Sequence, residues 1–120
     1  MEETTAGTAS ASSESQWLTI PDLVEILGVP QTRVRRLIEE RSLLASRRNG
    51  PLQVPSLFVR DGAVISEVKG TVIVLLDKGF TEDEAIDWML APEDSLRTSP
   101  IEALRQNRKA ETRRIAQALA

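Results

Sequence analysis

The sequence predicts a mainly α-helical protein, and three observations predict it. Apolar residues recur at spacings of three and four in two neighbouring segments, Ile20 to Leu27 and Gln31 to about Glu40. An Asn49-Gly50 pair, the strongest two-residue hairpin signal, follows them. The 120 residues include two Trp, two Phe and no Tyr, so one modest core must consist mainly of Leu, Ile and Val. Two helices followed by a hairpin predict a winged helix-turn-helix with a short β-hairpin wing, and additional C-terminal helices are predicted to follow it.

Residues 1–16 are predicted to form a disordered tail, because Ser, Thr, Ala and Glu dominate them. They include three acidic residues and no basic one. Hydroxyl groups in such a tail are candidate phosphate acceptors, and the threonines among them are Thr4, Thr5 and Thr8. The alternative is that the tail is a solvated leader without a regulatory role.

The first helix is predicted from the residues at its two ends. Thr19 stands at the N-cap position, Pro21 lies in the first turn, and Asp22 follows Thr19 by three residues, which is the pattern of a capping box. Gly28 stands where a left-handed C-terminal cap belongs. A connection of about three residues then leads to the second helix, which is typical of a helix-turn-helix.

The wing is predicted from two short arms, residues 43–48 and 51–55, that flank Asn49-Gly50. A type I′ turn needs a positive φ at both turn residues, and Asn and Gly tolerate this. The following residues 57–59 either extend the second arm or pair back, ending at the turn Asp61-Gly62.

Residues 61–97 are predicted to be a helical extension that packs on the same core. We predict a helix over residues 71–78, where a short apolar run by itself does not separate a strand from a buried helix. A capping box of Thr81 and Glu84 opens the next helix, and Pro92 stops it.

Residues 98–120 are predicted to form one basic C-terminal helix. Ser99 and Glu102 make another capping box with Pro100 at the favoured first position, and the helix is predicted to continue nearly to the end of the chain. Arg108 falls within the apolar stripe of this helix. Its side chain must therefore snorkel, pair with an acid or face a partner.

The net charge of -3 hides an uneven distribution of charge along the chain. Residues 1–16 carry -3, whereas residues 17–60, the predicted winged helix-turn-helix region, carry +3. Residues 61–95 carry -7 and residues 96–120 carry +4. An acidic block thus separates two basic blocks, and a basic winged region is suited to a polyanionic partner.

The second helix places its basic residues away from its apolar face. Because Val34, Leu37 and Ile38 define the buried side, Thr32 and Arg36 are predicted to project opposite it. A recognition helix reads base edges from its first turns, and arginine can bond guanine or clamp a phosphate. The predicted contacts to double-stranded DNA, with the last two at the wing, are Gln31, Thr32, Arg33, Arg35, Arg36, Arg47 and Arg48. The alternative is a merely solvated arginine surface.

Composition excludes several function classes. With no Cys and no His, the chain has no disulfide, thiolate nucleophile, imidazole base or ordinary zinc site. The longest apolar run, residues 72–76, is far shorter than the roughly 20 residues that span a bilayer. The acidic residues between Glu82 and Asp87 could indicate a metal or acid/base site, but the helix dipole alone favours carboxylates in a first turn. We expect a cytoplasmic, nucleoid-associated protein that is not an enzyme and uses no metal or cofactor.

A family resemblance adds to this interpretation. The stretch over residues 17–59 reads WLTIPDLVEILGVPQTRVRRLIEERSLLASRRNGPLQVPSLFV, and it resembles the winged helix-turn-helix segment of the MerR and excisionase group. The continuation to about residue 97 resembles a narrower group, small actinobacterial winged-helix DNA-binding proteins that include a mycobacterial substrate of a Ser/Thr protein kinase. The resemblance implies a DNA-binding domain without catalytic activity, with Thr32, Arg33 and Arg36 on the recognition helix and Arg47 and Arg48 at the wing.

The sequence departs from MerR regulators, since it lacks their long dimerisation helix and a cysteine effector site. Both a monomer and a homodimer therefore stay open. We predict a regulatory or nucleoid-associated protein that binds duplex DNA, and phosphorylation of the tail by a Ser/Thr kinase is expected to weaken that binding. The alternative is an antitoxin-like or adaptor module that uses the winged fold and the C-terminal helix to hold a protein partner.

Overall fold

The structure is a computed structural model, and it describes residues 16–119. The predicted phosphate acceptors Thr4, Thr5 and Thr8 lie outside the described residues. A 3-10 turn at Ser56–Phe58 joins β2 to β3. The helices and strands, in chain order, are β1 Trp17–Thr19, α1 Ile20–Leu27, α2 Gln31–Glu39, β2 Gln53–Pro55, β3 Val59–Arg60, β4 Ala63–Val64, α3 Glu67–Asp77, α4 Glu82–Leu90, α5 Pro100–Arg105 and α6 Lys109–Gln117.

The helix-turn-helix is confirmed, and its local signals act as predicted. The Thr19 hydroxyl accepts from the Asp22 N–H at 3.2 Å, and the Asp22 carboxylate accepts from the Thr19 N–H at 2.9 Å. These two bonds satisfy N–H groups that the start of α1 would otherwise leave unpaired. Gly28 ends α1 in the left-handed region with φ 67°. Helix α2 then buries Val34 and Leu37 against the core.

The wing is present, but the predicted turn at Asn49-Gly50 is wrong in its geometry. Gly50 has φ 103°, whereas Asn49 does not adopt a positive φ. The Gly50 N–H donates to the Arg47 carbonyl at 2.9 Å, so Gly50 is the last residue of the turn instead of its third. The Ser46 hydroxyl accepts from the Arg48 N–H at 3.0 Å, and this local bond starts the turn one residue early.

Most of the wing's pairing comes from a strand that the sequence did not reveal. Ser46 and Gln53 form a single antiparallel bridge, while β2 pairs along its length with β1. Trp17 lies opposite Pro55, and Thr19 lies opposite Gln53. A strand of three residues is too short to show an alternating pattern, and β1 merges directly into the cap of α1.

The type I′ geometry occurs at Asp61-Gly62 instead. Asp61 has φ 54° and Gly62 has φ 77°, so both turn residues lie in the left-handed region. Strands β3 and β4 pair across this turn, with Val59 opposite Val64. Residues 57–59 therefore neither extend the second arm nor pair back on it, because Leu57 and Phe58 lie in the 3-10 turn and Val59 pairs forward with Val64.

The C-terminal half is helical, as predicted, with two corrections. Helix α3 begins at Glu67, four residues before the predicted start at residue 71. The single helix predicted over residues 98–120 is wrong, because α5 ends at Arg105 and α6 begins at Lys109. Asn107 interrupts them with φ 65°, and the Arg108 N–H donates to the Ala103 carbonyl at 2.9 Å. Asn is one of the few residues that accept this left-handed cap.

One hydrophobic core joins the two halves of the chain. Leu23, Val34 and Phe58 from the N-terminal half are fully buried in the same cluster as Val72 and Leu104 from the C-terminal half. As predicted, the core is mostly aliphatic.

The two halves also meet through a pair of arginines. The Arg105 guanidinium donates to the carbonyls of Leu57 and Val59 at 2.9 and 3.1 Å. In return, Arg60 donates to the Arg105 carbonyl at 2.6 Å. These bonds satisfy backbone oxygens where β3 meets α5.

Candidate nucleic-acid interface

Helix α2 exposes the polar face that its sequence predicts. Gln31, Thr32, Arg33, Arg35 and Arg36 are all exposed. The spacing of α2's apolar residues forces this arrangement, because a helix that buries every third or fourth residue must turn the intervening ones to solvent. No acidic residue occupies the first turn of α2. The positive end of its dipole is therefore not neutralised within that turn, which favours a nearby anion.

A groove lies between α2 and the wing. Its volume is about 250 Å³, and Gln31, Arg35 and Arg47 are among the residues that line it. Ile20 and Leu52 contribute apolar surface to the same groove. The structure thus brings one predicted wing residue, Arg47, together with two predicted residues of the recognition helix. Polar and cationic groups beside an apolar floor suit the sugar and phosphate of a nucleic-acid strand.

Arg48 differs from the other predicted contact residues, because its guanidinium is already occupied. It forms ion pairs with Asp87 at 2.8 Å and with Asp83 at 3.1 Å. Its central carbon lies 5.2 Å from the centre of the Trp17 ring, within cation–π range. The side chain is turned toward α4 and β1 and is only 32% exposed. We therefore do not include Arg48 among the proposed DNA contacts.

The acidic residues of α4 face the segment between α2 and the wing. Arg41, which the sequence did not single out, pairs with Glu82 at 3.1 Å. The hydrogen bond that Arg48 donates to the Asp87 carboxylate is the largest influence that raises the pKa of Arg48. The pKa of Asp83 is lowered, first by the Ser46 hydroxyl and then by Arg48. Three acidic residues of α4 therefore pair with basic residues of the N-terminal half of the chain.

Two basic residues of the C-terminal helices, Arg108 and Arg113, make local contacts of different kinds. Arg108 pairs with Glu111 at 3.0 Å and donates to the Leu96 carbonyl at 3.1 Å. Of the three possibilities for Arg108, pairing with an acid is therefore correct. The side chain of Arg113 packs over Gly70 of α3, where a Cβ atom would collide with its guanidinium.

Residues 16–119 were also compared with the arrangements needed for a metal site and for a membrane-spanning helix. Within this range, no group of three His, Cys, Asp or Glu side chains is arranged to hold a metal ion. None of the helices in the same range combines the length and the apolar character needed to cross a membrane.

Comparisons with known proteins match both halves of the chain. A family model described as "DNA-binding protein Rv2175c, wHTH domain" matches residues 8–59, and one described as "Rv2175c C-terminal domain of unknown function" matches residues 65–120. The chain is 31% identical over 114 residues to "DNA-binding protein Rv2175c" of Mycobacterium tuberculosis, covering 84% of this chain and 78% of that protein. The solved structure described as "NMR structure of Rv2175c" superposes with a TM-score of 0.76 at 26% identity and covers 98% of each chain.

Proposed function

The chain belongs to the family of the DNA-binding protein Rv2175c, and from this premise we propose that it binds duplex DNA with α2 in the major groove and the wing on the adjacent backbone. The observation that carries this proposal is the exposed cationic face of α2 with Arg47 across the groove. Arg33 and Arg36 supply donors for guanine or phosphate, and Gln31 and Thr32 supply polar contacts at the start of the helix. The proposed function involves no catalytic step.

The proposed role of this binding is regulatory or architectural. A single winged module makes a small DNA interface, so much of the affinity is expected to come from phosphate contacts. Such a protein suits either transcriptional regulation, as in the MerR-like group, or association with the nucleoid.

A salt-dependent binding measurement tests the DNA proposal. The full-length protein is titrated with a labelled duplex across a range of salt concentrations. We expect affinity to fall steeply with salt, because each phosphate contact makes the slope of log K against log salt more negative by about 0.9. Arg36→Ala is expected to weaken binding by about 5- to 150-fold, which corresponds to the loss of one good arginine contact.

Arg114→Ala is the matched control, since Arg114 is an exposed arginine on α6. It removes the same charge and is expected to change the affinity by less than about two-fold. No binding to any duplex at low salt would contradict the proposal. Equal effects of Arg36→Ala and Arg114→Ala would reject α2 as the recognition helix.

The tail is the proposed point of regulation. A phosphate on Thr4, Thr5 or Thr8 adds about -1.5 to -2 of charge, and a Ser/Thr protein kinase is the proposed partner. The negative charge would repel DNA phosphates or occupy arginines of α2. Phosphorylated protein is expected to bind a duplex more weakly than unmodified protein at the same salt. Equal affinity of the two forms would reject this switch.

A further inference from the structure

The first turns of α4 pack against the segment that leads from the recognition helix to the wing. At the start of this segment Arg41 pairs with Glu82, and at its end Arg48 pairs with both Asp83 and Asp87. Helix α4 belongs to the part of the chain that matches the C-terminal domain of unknown function. Three carboxylates of that part therefore contact the part that carries the recognition helix.

All three nitrogens of the Arg48 guanidinium donate in these contacts, through four hydrogen bonds. One terminal nitrogen, Nη1, donates to Asp87 at 2.8 Å, and the other, Nη2, donates to the carboxylate and the carbonyl of Asp83 at 3.1 and 3.3 Å. The remaining nitrogen, Nε, donates to the Ser46 hydroxyl at 3.3 Å. A DNA phosphate could bind both terminal nitrogens of Arg48 as a fork only by displacing the bonds to Asp83 and Asp87, and such charge-assisted hydrogen bonds are the strong kind.

The base of the wing is held by the pairing of β2 with β1, whereas its tip, residues 47–52, has few contacts that could fix its direction. A single bridge between Ser46 and Gln53 closes this tip, and segments with few buried contacts open locally at a low cost in free energy. Arg47 and Arg48 are consecutive, so an anchor on Arg48 also restrains the backbone of Arg47. Arg47 lines the groove that it shares with Arg35 of α2.

We propose that Asp83 and Asp87 are positioning residues for DNA binding, which hold the wing through Arg48 so that Arg47 lies across the groove from the recognition helix. This inference rests on the proposed function and assigns a role to the acidic helix of the C-terminal part. The two aspartates act without touching DNA. Arg48 is a positioning residue as well, and Arg47 is the DNA contact that depends on it.

The direction in which DNA affinity changes when Asp83 and Asp87 lose their charge distinguishes a positioning role from a purely electrostatic effect. Removing two negative charges from a DNA-binding protein strengthens binding if only the overall field matters, and it also strengthens binding if the aspartates compete with phosphate for Arg48. Positioning predicts the opposite sign, because a released wing loses its oriented contact. Asp83 and Asp87 are 56% and 65% exposed, so their replacement by Asn leaves the core intact.

The experiment compares two doubly substituted full-length proteins with equal charge. The test variant is Asp83→Asn/Asp87→Asn, and the control is Asp77→Asn/Asp94→Asn, whose aspartates are exposed and form no ion pair within residues 16–119. Affinity for the duplex is measured at one salt concentration, well below the unfolding temperature of each variant. The test variant is expected to bind about three- to ten-fold more weakly than wild type, and the control equally or more tightly.

A double-mutant cycle shows whether the wing is the part affected. Arg47→Ala is expected to cost about five-fold in the wild-type background and less than about two-fold in the Asp83→Asn/Asp87→Asn background. Arg36→Ala is expected to cost the same in both backgrounds, because α2 is held by its own buried residues. A general loss of stability would not remove the Arg47 effect selectively. If the test variant unfolds, Arg48→Lys, which keeps the charge but loses the forked geometry, takes its place in the cycle.

The outcomes distinguish this inference from the proposed function. If wild type binds DNA and the test variant binds as tightly as the control, the positioning inference is overturned and DNA binding stands. An undiminished Arg47→Ala effect in the test background overturns it as well. Failure of the wild-type protein to bind any duplex overturns the proposed function itself.

Discussion

At the scale of single residues, two buried threonines differ by one hydrogen bond. Thr71 of α3 and Thr112 of α6 are both fully buried. The Thr112 hydroxyl donates to the Arg108 carbonyl at 2.9 Å, whereas the Thr71 hydroxyl has no partner among the described residues. A buried hydroxyl without a partner has lost its hydration and gained nothing in return. The buried hydroxyl of Thr71 therefore lowers the free energy of unfolding of the protein.

Substitution by Val at the two threonines is expected to have opposite effects. Val keeps the branched shape, and its helix propensity is close to that of Thr. Thr71→Val is expected to raise the free energy of unfolding by up to about 1 kcal/mol, and Thr112→Val to lower it by about 1 kcal/mol. Urea denaturation of the two variants and wild type measures both changes. A loss of stability in Thr71→Val equal to that in Thr112→Val would contradict this account.

At the scale of elements, the helix starts that have a capping box can be predicted from the sequence more closely than turns, interruptions and uncapped helix starts. The capping boxes at Thr19 and Thr81 use residues three apart, so the local sequence contains the whole signal. The sequence predicts a type I′ turn at Asn49-Gly50, but this turn occurs at Asp61-Gly62. Both pairs tolerate positive φ, so the two residues alone do not decide which pair adopts the turn. At Asn49-Gly50 the Ser46 hydroxyl, which accepts from the Arg48 N–H, favours a turn that starts one residue earlier. This bond involves neither Asn49 nor Gly50.

The interruption between α5 and α6 depends on the left-handed conformation of Asn107. Asn107→Ala places a residue without a local hydrogen-bonding side chain at φ 65° and is expected to lower the free energy of unfolding by about 1 kcal/mol. Asn107→Gly relieves the steric cost and is expected to be near neutral. Thermal unfolding followed by circular dichroism ranks the three proteins. An Ala variant as stable as the Gly variant would show that the interruption does not depend on this residue.

At the scale of the whole molecule, the sequence predicted where the charge is but not what it contacts. The basic face of α2 could be derived because Val34 and Leu37 fix its buried side by periodicity alone. The ion pairs of Arg48 could not be derived in this way, because 35 and 39 residues separate Arg48 from Asp83 and Asp87. Contacts at such separation depend on how helices pack, and no local pattern encodes them.

The shared core predicts that the winged region does not fold alone. Phe58 and Val54 are fully buried in a cluster that includes Val72 and Leu104, so a chain ending at Val64 would expose them. A fragment of this size also buries only about 60% of the surface that its unfolded chain exposes, which leaves its stability marginal even before these contacts are lost. We expect full-length protein to unfold in a single cooperative transition and the truncated chain to show none, as measured by circular dichroism on heating. A cooperative transition in the truncated chain would contradict a shared core.

The exposed residues of α2 have a consequence for how this protein can change. Thr32, Arg33 and Arg36 lie outside the core, and their side chains form no hydrogen bond or ion pair within residues 16–119. Under the proposed function these residues contact DNA, so substitutions at them are expected to change the preferred DNA sequence with little effect on the stability of the fold. Target preference can therefore drift, or be re-engineered, on an unchanged scaffold. Changes at these three surface positions would alter the DNA sequence that is bound, while the rest of the chain continues to specify the same fold.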